Sequence, residues 1–205
     1  PVDTMLRAPR TARSKAFTLV ELLIVLAVAA LLITLAAPSL RDMILVQRLK
    51  AVNAQLVTDL QFARSEAVAR SHSGWLEFRS NDAMTCYTIY STPPTPNDGA
   101  RCDCRLGEAA CVAPHRAIRV VQLPRSDKVT VAKRSGMNLE DRVGFDHVAG
   151  ALITIPPSDA NLNPPTTYVI EVGVDASRKL RTTVDMSGRP TVCAPANATL
   201  GAPSC

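Results

Sequence analysis

The chain has 205 residues, 47% hydrophobic, 20% charged and 4% aromatic, with a formal net charge of +5. That is enough for one domain of ordinary size plus an appended segment. Of its 23 Lys and Arg and 18 Asp and Glu, four and one lie in residues 1–16, leaving 19 and 17 beyond; this near-balance excludes nucleic-acid affinity from net charge alone and leaves only local clustering to supply it.

Residues 1–16 carry Arg7, Arg10, Arg13 and Lys15. An apolar run then extends from Phe17 to Leu40, and Glu21 is its one charged residue. A charge near the centre of a bilayer costs at least roughly 2.5–3.5 kcal/mol, less near an end, so this carboxylate needs a partner. An amine freed at Phe17 would supply one within a helical turn or from a neighbouring chain, and attraction between them strengthens as the dielectric falls. The basic stretch keeps the amino terminus cytoplasmic and puts everything after about residue 40 outside. Three other readings compete: a secretory signal cut near residues 35–38, an ordinary single-pass anchor, and a buried soluble helix. Glu21 sits badly in the first, and an all-round apolar surface argues against the last.

The apolar run continues into an amphipathic stretch. Leu40, Met43, Ile44, Leu49, Val52, Leu56, Leu60, Ala63 and Ala67 recur at mostly three- and four-residue steps, while Arg41, Asp42, Arg48, Lys50, Asp59, Arg64 and Glu66 fall mainly elsewhere. The pattern predicts one long helix over 17–69, bent at Pro38, which has no backbone N–H to donate. Residues 71–74 end it. Arg64 and Glu66 read as an exposed helix pair, with a turn of either toward the sheet left open.

Beyond the helix the period becomes two. Strands are predicted over 75–79, 85–91, 117–123, 128–132, 151–155, 168–174 and 180–185, with loops over 92–114 and 156–165. A helix followed by strands is an α+β pattern: the second half of the helix packs on an antiparallel sheet and the first half projects. The projecting surface demands lipid or neighbouring helices.

Six cysteines, Cys86, Cys102, Cys104, Cys111, Cys193 and Cys205, all lie on the exported side, where disulfides persist. Proximity favours Cys193–Cys205; the other four pin the 86–111 region. Cys102, Cys104, Cys111 and His115 do not follow a common zinc spacing. His72 and His147 have no evident catalytic partner, Trp75 reads as core, and no catalytic, cofactor or metal constellation is found. Arg178, Lys179, Arg181 and Arg189 form a basic cluster. Lys179 and Arg181 share a strand face and, with Arg189 on a turn, would meet phosphates in a salt-sensitive, sequence-independent way. An ordinary solvated strand face is the competing reading.

The run from Arg13 to Leu40 resembles the class III signal of type IV pilins and type II secretion pseudopilins. The resemblance implies cleavage by a prepilin peptidase between Ala16 and Phe17, N-methylation of Phe17, and Glu21 as the carboxylate that neutralises the amino terminus during assembly. Ala16 stands where that family usually has Gly. Pro38 matches a helix-bending proline of the major pilins. The segment Leu60-Gln61-Phe62-Ala63-Arg64-Ser65-Glu66-Ala67-Val68 is similar to the helix end of the FimT/FimU/GspH minor pilins, and Cys86-Tyr87-Thr88-Ile89, Cys102-Asp103-Cys104 and Ser187-Gly188-Arg189-Pro190-Thr191-Val192-Cys193 add to the likeness.

That resemblance implies a pilin-like fold and a division into a leader (1–16), an assembly half-helix (17–40), an amphipathic half-helix (41–72) and a periplasmic β-rich domain (73–205). It implies a single-pass inner-membrane protein that enters a filament with other minor and major pilins or pseudopilins at or near the tip, with no enzymatic role and no cofactor. FimT-like members bind DNA in natural transformation through a Gly-Arg-x-Arg motif. Here Gly188-Arg189-Pro190-Thr191 lacks the second Arg, so DNA is the alternative partner.

Overall fold

The computed structural model describes residues 18–93, 102–134, 141–153, 166–195 and 200–205. Its helix α1 spans Leu19–Arg70, and nine strands follow: β1 Ser73–Ser80, β2 Met84–Thr92, β3 Arg116–Pro124, β4 Thr130–Lys133, β5 Arg142–Phe145, β6 Leu152–Ile153, β7 Thr167–Gly173, β8 Lys179–Asp185 and β9 Pro190–Cys193. The chain divides into two units, Pro1–Asp42 and Met43–Cys205.

In the first unit the described residues are helical from Leu19 onward, and their apolar side chains face outward: Leu19 is 74% exposed and Leu22, Leu23, Ile24 and Leu26 each exceed half. Among the described residues no single helix is long and apolar enough to cross a membrane alone; Leu19–Thr34 and Ser39–Arg70 together meet that test of length and composition.

The second unit holds the core. Leu49, Leu56, Leu60, Ala63 and Ala67 are buried along one helix face, so the predicted seam is real from Leu49 onward. Met43 and Ile44, assigned to it from spacing, stay more than half exposed. Two polar residues interrupt the seam. Thr182 Oγ1 of β8 donates to Asn53 Oδ1 at 3.0 Å, both side chains being buried. Asp59, placed by periodicity off the apolar face, is 1% exposed. Its carboxylate accepts from Tyr87 Oη at 2.6 Å and from Arg119 Nη1 at 2.8 Å, and this pairing is what permits burial. Burial first, then the bond to Asp59, pushes the Tyr87 phenol well above its ordinary range.

The strands form two antiparallel sheets rather than the one expected: five strands in the order β3-β2-β1-β5-β6 and four in the order β4-β7-β8-β9. Val131 N–H of the second sheet donates to Thr85 Oγ1 of the first at 3.1 Å, joining them. All seven predicted strands have a counterpart among the described residues, with shifted ends; residues 154–155 of the one over 151–155 lie outside them. Lys128 is not in β4, because it takes a left-handed φ of 59° closing the short turn Arg125–Asp127. Two strands escaped the sequence reading: β5 is four residues with an internal Gly144, and β9 is a short edge strand opening on Pro190. The predicted loop over 92–114 includes a 3-10 segment, Cys104–Ala109, and its residues 94–101 lie outside the described ones, as does the loop over 156–165.

Candidate functional site

At the start of α1 the Glu21 backbone N–H donates to Thr18 Oγ1 at 3.2 Å, and the Leu22 N–H to the Thr18 carbonyl at 3.2 Å. Thr18 and Glu21 have the spacing of a capping box, a signal legible in the sequence but missed there. Glu21 is exposed in the first helical turn, where the helix end is partly positive. A carboxylate is therefore held at the head of an apolar helix with no acidic or basic neighbour until Arg41. Ala16 and Phe17 lie outside the described residues, and so does the Pro38 side chain.

The other end of the helix shows what the Ala-Arg-Ser-Glu-Ala segment does. Ala63 and Ala67 are buried because β1 runs against them at Gly74, where an added Cβ would lie 2.5 Å from the Ala63 carbonyl oxygen. Hence the helix ends at Arg70, with Ser71 left-handed (φ 54°), and Gly74 belongs to the strand rather than to the helix stop. Arg64 does not pair with Glu66. Its Nε donates to the Gly150 carbonyl at 2.9 Å, while Glu66 pairs with Arg70 one turn on. Gly150 sits in a turn organised by Asp146, whose carboxylate accepts from the N–H groups of Ala149, Val148 and Ala151 at 2.9, 2.7 and 2.6 Å. Those bonds, the one from Ala149 foremost, hold the Asp146 carboxyl below its ordinary value.

Gly188 closes the arrangement. Its φ is +75°, and a Cβ there would fall inside 3.0 Å of the Gly150 carbonyl oxygen and 3.1 Å from Arg64 Nε. Helix end, 146–150 turn and 185–188 turn thus meet on one guanidinium. The glycine of the Gly-Arg pair is there for this close approach.

The basic cluster is partly paired and divided: two carboxylates serve three of its four cations. Arg181 Nε donates to Glu171 Oε1 at 2.7 Å from the neighbouring strand, and Lys179 Nζ lies 3.6 Å from Glu171 Oε2. Arg178 pairs with Asp175 at 2.7 Å, and that guanidinium, then the Ser177 hydroxyl, holds the Asp175 carboxyl far below its ordinary value. Sequence reasoning missed Glu171, which only strand pairing places opposite Arg181. Arg189 is exposed beyond the far end of β8. The register sets it four residues beyond the Cys193 partner of Arg181, on the order of 13 Å along the strand. Lys179 and Arg181 share a side through Glu171, and Arg189 stands apart from them along the strand.

Cys86 bonds Cys104, Cys102 bonds Cys111, and Cys193 bonds Cys205. Cys102, Cys104 and Cys111, weighed above as zinc ligands, are thus in disulfides, and His115 Nδ1 lies 2.9 Å from Thr92 Oγ1. Trp75 is half-buried, with Arg142 stacked over its ring at 4.9 Å. On the same sheet face Glu77 is wholly buried, accepting from Arg79 and from the Cys102 N–H at 3.2 Å.

Comparison with known families gives two matches. Residues 11–37 match the prokaryotic N-terminal methylation motif, and residues 53–188 match the type II transport protein GspH. No curated protein matches the chain significantly, and no solved structure does. The GspH match spans more than half of the sequence, runs from Asn53 of the helix seam through Gly188 of the interlocked turn, and includes Arg64 and Gly150. The chain therefore belongs to the GspH family of pilin-like type II transport proteins.

Proposed function

We propose that this chain is a minor pilin or pseudopilin that works as a structural subunit at or near the tip of a filament, where it helps to start assembly. The observation carrying this reading is the outward-facing apolar helix surface headed by a single carboxylate, Glu21. A surface of that kind is costly in water and is satisfied by lipid or by like helices, which gives one protein a stored and an assembled state. Prepilin peptidase cuts between Ala16 and Phe17, Phe17 becomes the methylated amino terminus, and Glu21 neutralises it within the bundle. Before assembly the helix rests in the inner membrane with the β-rich unit in the periplasm. Its partners are other minor and major pilins or pseudopilins, and its role is structural rather than enzymatic.

The test is Glu21→Ala in the full chain. Membrane insertion and cleavage are expected to persist while incorporation into sheared filaments falls; normal amounts in filaments would sink the assigned role. DNA capture, the alternative partner class, is the weaker reading because Glu171 and Asp175 pair with three of the four cations it needs.

A further inference from the structure

We infer that the interlocked turns around Arg64 form a second docking face, one that receives a carboxylate flanked by apolar side chains on the globular domain of a neighbouring pilin-type subunit. This rests on the filament-subunit reading and adds a lateral contact to the helix bundle.

Three large apolar side chains ring the interlock and are exposed. Val148, 77% exposed, tips the 146–150 turn; Met186, 48% exposed, sits in the turn whose backbone accepts the Leu152 N–H at 3.1 Å; and Val68 lies one helical turn beyond Arg64, its Cγ2 3.4 Å from where a Cβ on Gly150 would stand. Single exposed apolar residues need no explanation, but these three stand on the three segments that meet at Arg64.

The electrostatics select the partner. The described bond of Arg64 uses Nε, and its terminal Nη groups meet no carboxylate or carbonyl among the described residues. Arg189 follows Gly188 in the chain, is exposed, and acts by its charge on the neighbouring Asp185 carboxyl. The nearby acids are occupied internally. Asp146 takes three backbone N–H groups, and Asp185 takes the Ser187 hydroxyl at 2.6 Å and the Arg189 N–H at 3.1 Å. Glu66 is paired with Arg70. The face thus presents guanidinium donors within an apolar rim, the combination enriched at protein interfaces. Phosphate would satisfy the cations but not the rim, which favours a protein over DNA.

The experiment places a photo-crosslinking residue at Val148 in the full chain, in its own cells, with and without Arg189→Glu, and a second at Ile33 on the exposed apolar helix as a reference. The expected result is an adduct between position 148 and another pilin-type subunit that falls roughly fivefold with Arg189→Glu, as loss and reversal of an interface charge requires. Filament adducts from position 33 but none from 148, or an adduct to DNA from 148, would overturn this face while leaving the subunit reading intact. An adduct indifferent to Arg189→Glu would overturn the carboxylate chemistry. Absence of filament adducts from both positions would remove the subunit reading itself and this proposal with it.

Discussion

Replacing Gly188 by Ala isolates the interlock. Gly188 has φ +75°, and its missing Cβ is where the Gly150 carbonyl and Arg64 Nε converge. A left-handed alanine costs roughly 1–2 kcal/mol in backbone strain. The new methyl must also push the Gly150 carbonyl away, breaking its bond from Arg64, and a hydrogen bond to a charged group contributes about 1.5–3 kcal/mol. Together they come to about 2.5–5 kcal/mol, a large share of the roughly 5–15 kcal/mol that stabilises a typical domain. Gly201→Ala is the control, because its φ is +71° but its nearest neighbour is the flexible end of Lys50, 3.9 Å away, so it carries the backbone cost without the collision. Urea unfolding of the oxidised unit Met43–Cys205, which holds the core, measures both. Gly188→Ala should lower the midpoint at unchanged slope by at least twice as much as Gly201→Ala. Equal losses would refute the claim that the close approach to Gly150 and Arg64, rather than the φ alone, dictates glycine.

Further outcomes follow from other contacts. Asp59→Ala leaves the buried Tyr87 hydroxyl without its acceptor, while the half-exposed Arg119 turns to solvent, and should cost about 1–3 kcal/mol, read by the same unfolding experiment; a loss under about 0.5 kcal/mol would mean that solvent replaces the pair. The Cys193→Ser/Cys205→Ser double variant opens a loop with a separation of 12 residues and should lose about 3 kcal/mol, with faster hydrogen exchange in β9 and in the Ala194–Ser204 bridge that follows it. Burial, then the Glu77 charge, pushes the Tyr90 phenol up to about 12 from an ordinary 10.0. A folded value above the unfolded one means this contribution is complete below about pH 10 and is lost as pH rises through about 12, close to 3 kcal/mol in all; a Tyr90→Phe chain with an unaltered alkaline slope would contradict it. DNA binding by the oxidised unit Met43–Cys205 in a salt titration should be absent even at low salt; binding that weakens steeply with salt and falls in Arg181→Gln/Arg189→Gln would revive the DNA-uptake reading.

Much of the molecule was legible in the residues. Periodicity gave the helix because an amphipathic seam needs no distant information, and alternation gave seven strands for the same reason. It failed for β5 and β9, whose brevity and Gly or Pro content carry no local signal; they exist because β1 and β8 offer ladder partners. The Thr18 cap on the Glu21 N–H was readable and went unread.

The apolar run with its lone Glu21, the α+β order, the six cysteines beyond residue 85 and the likeness to pilins could be read from the residues, because each depends on residue type at fixed chain spacing. Tertiary structure alone decided what Asp59, Arg64 and Gly188 do, and that Arg181 faces Glu171 rather than solvent. Whether a charge is free or satisfied depends on which strand or turn lies across from it. Arg64 and Gly150, 86 residues apart, meet only when helix and sheet are packed.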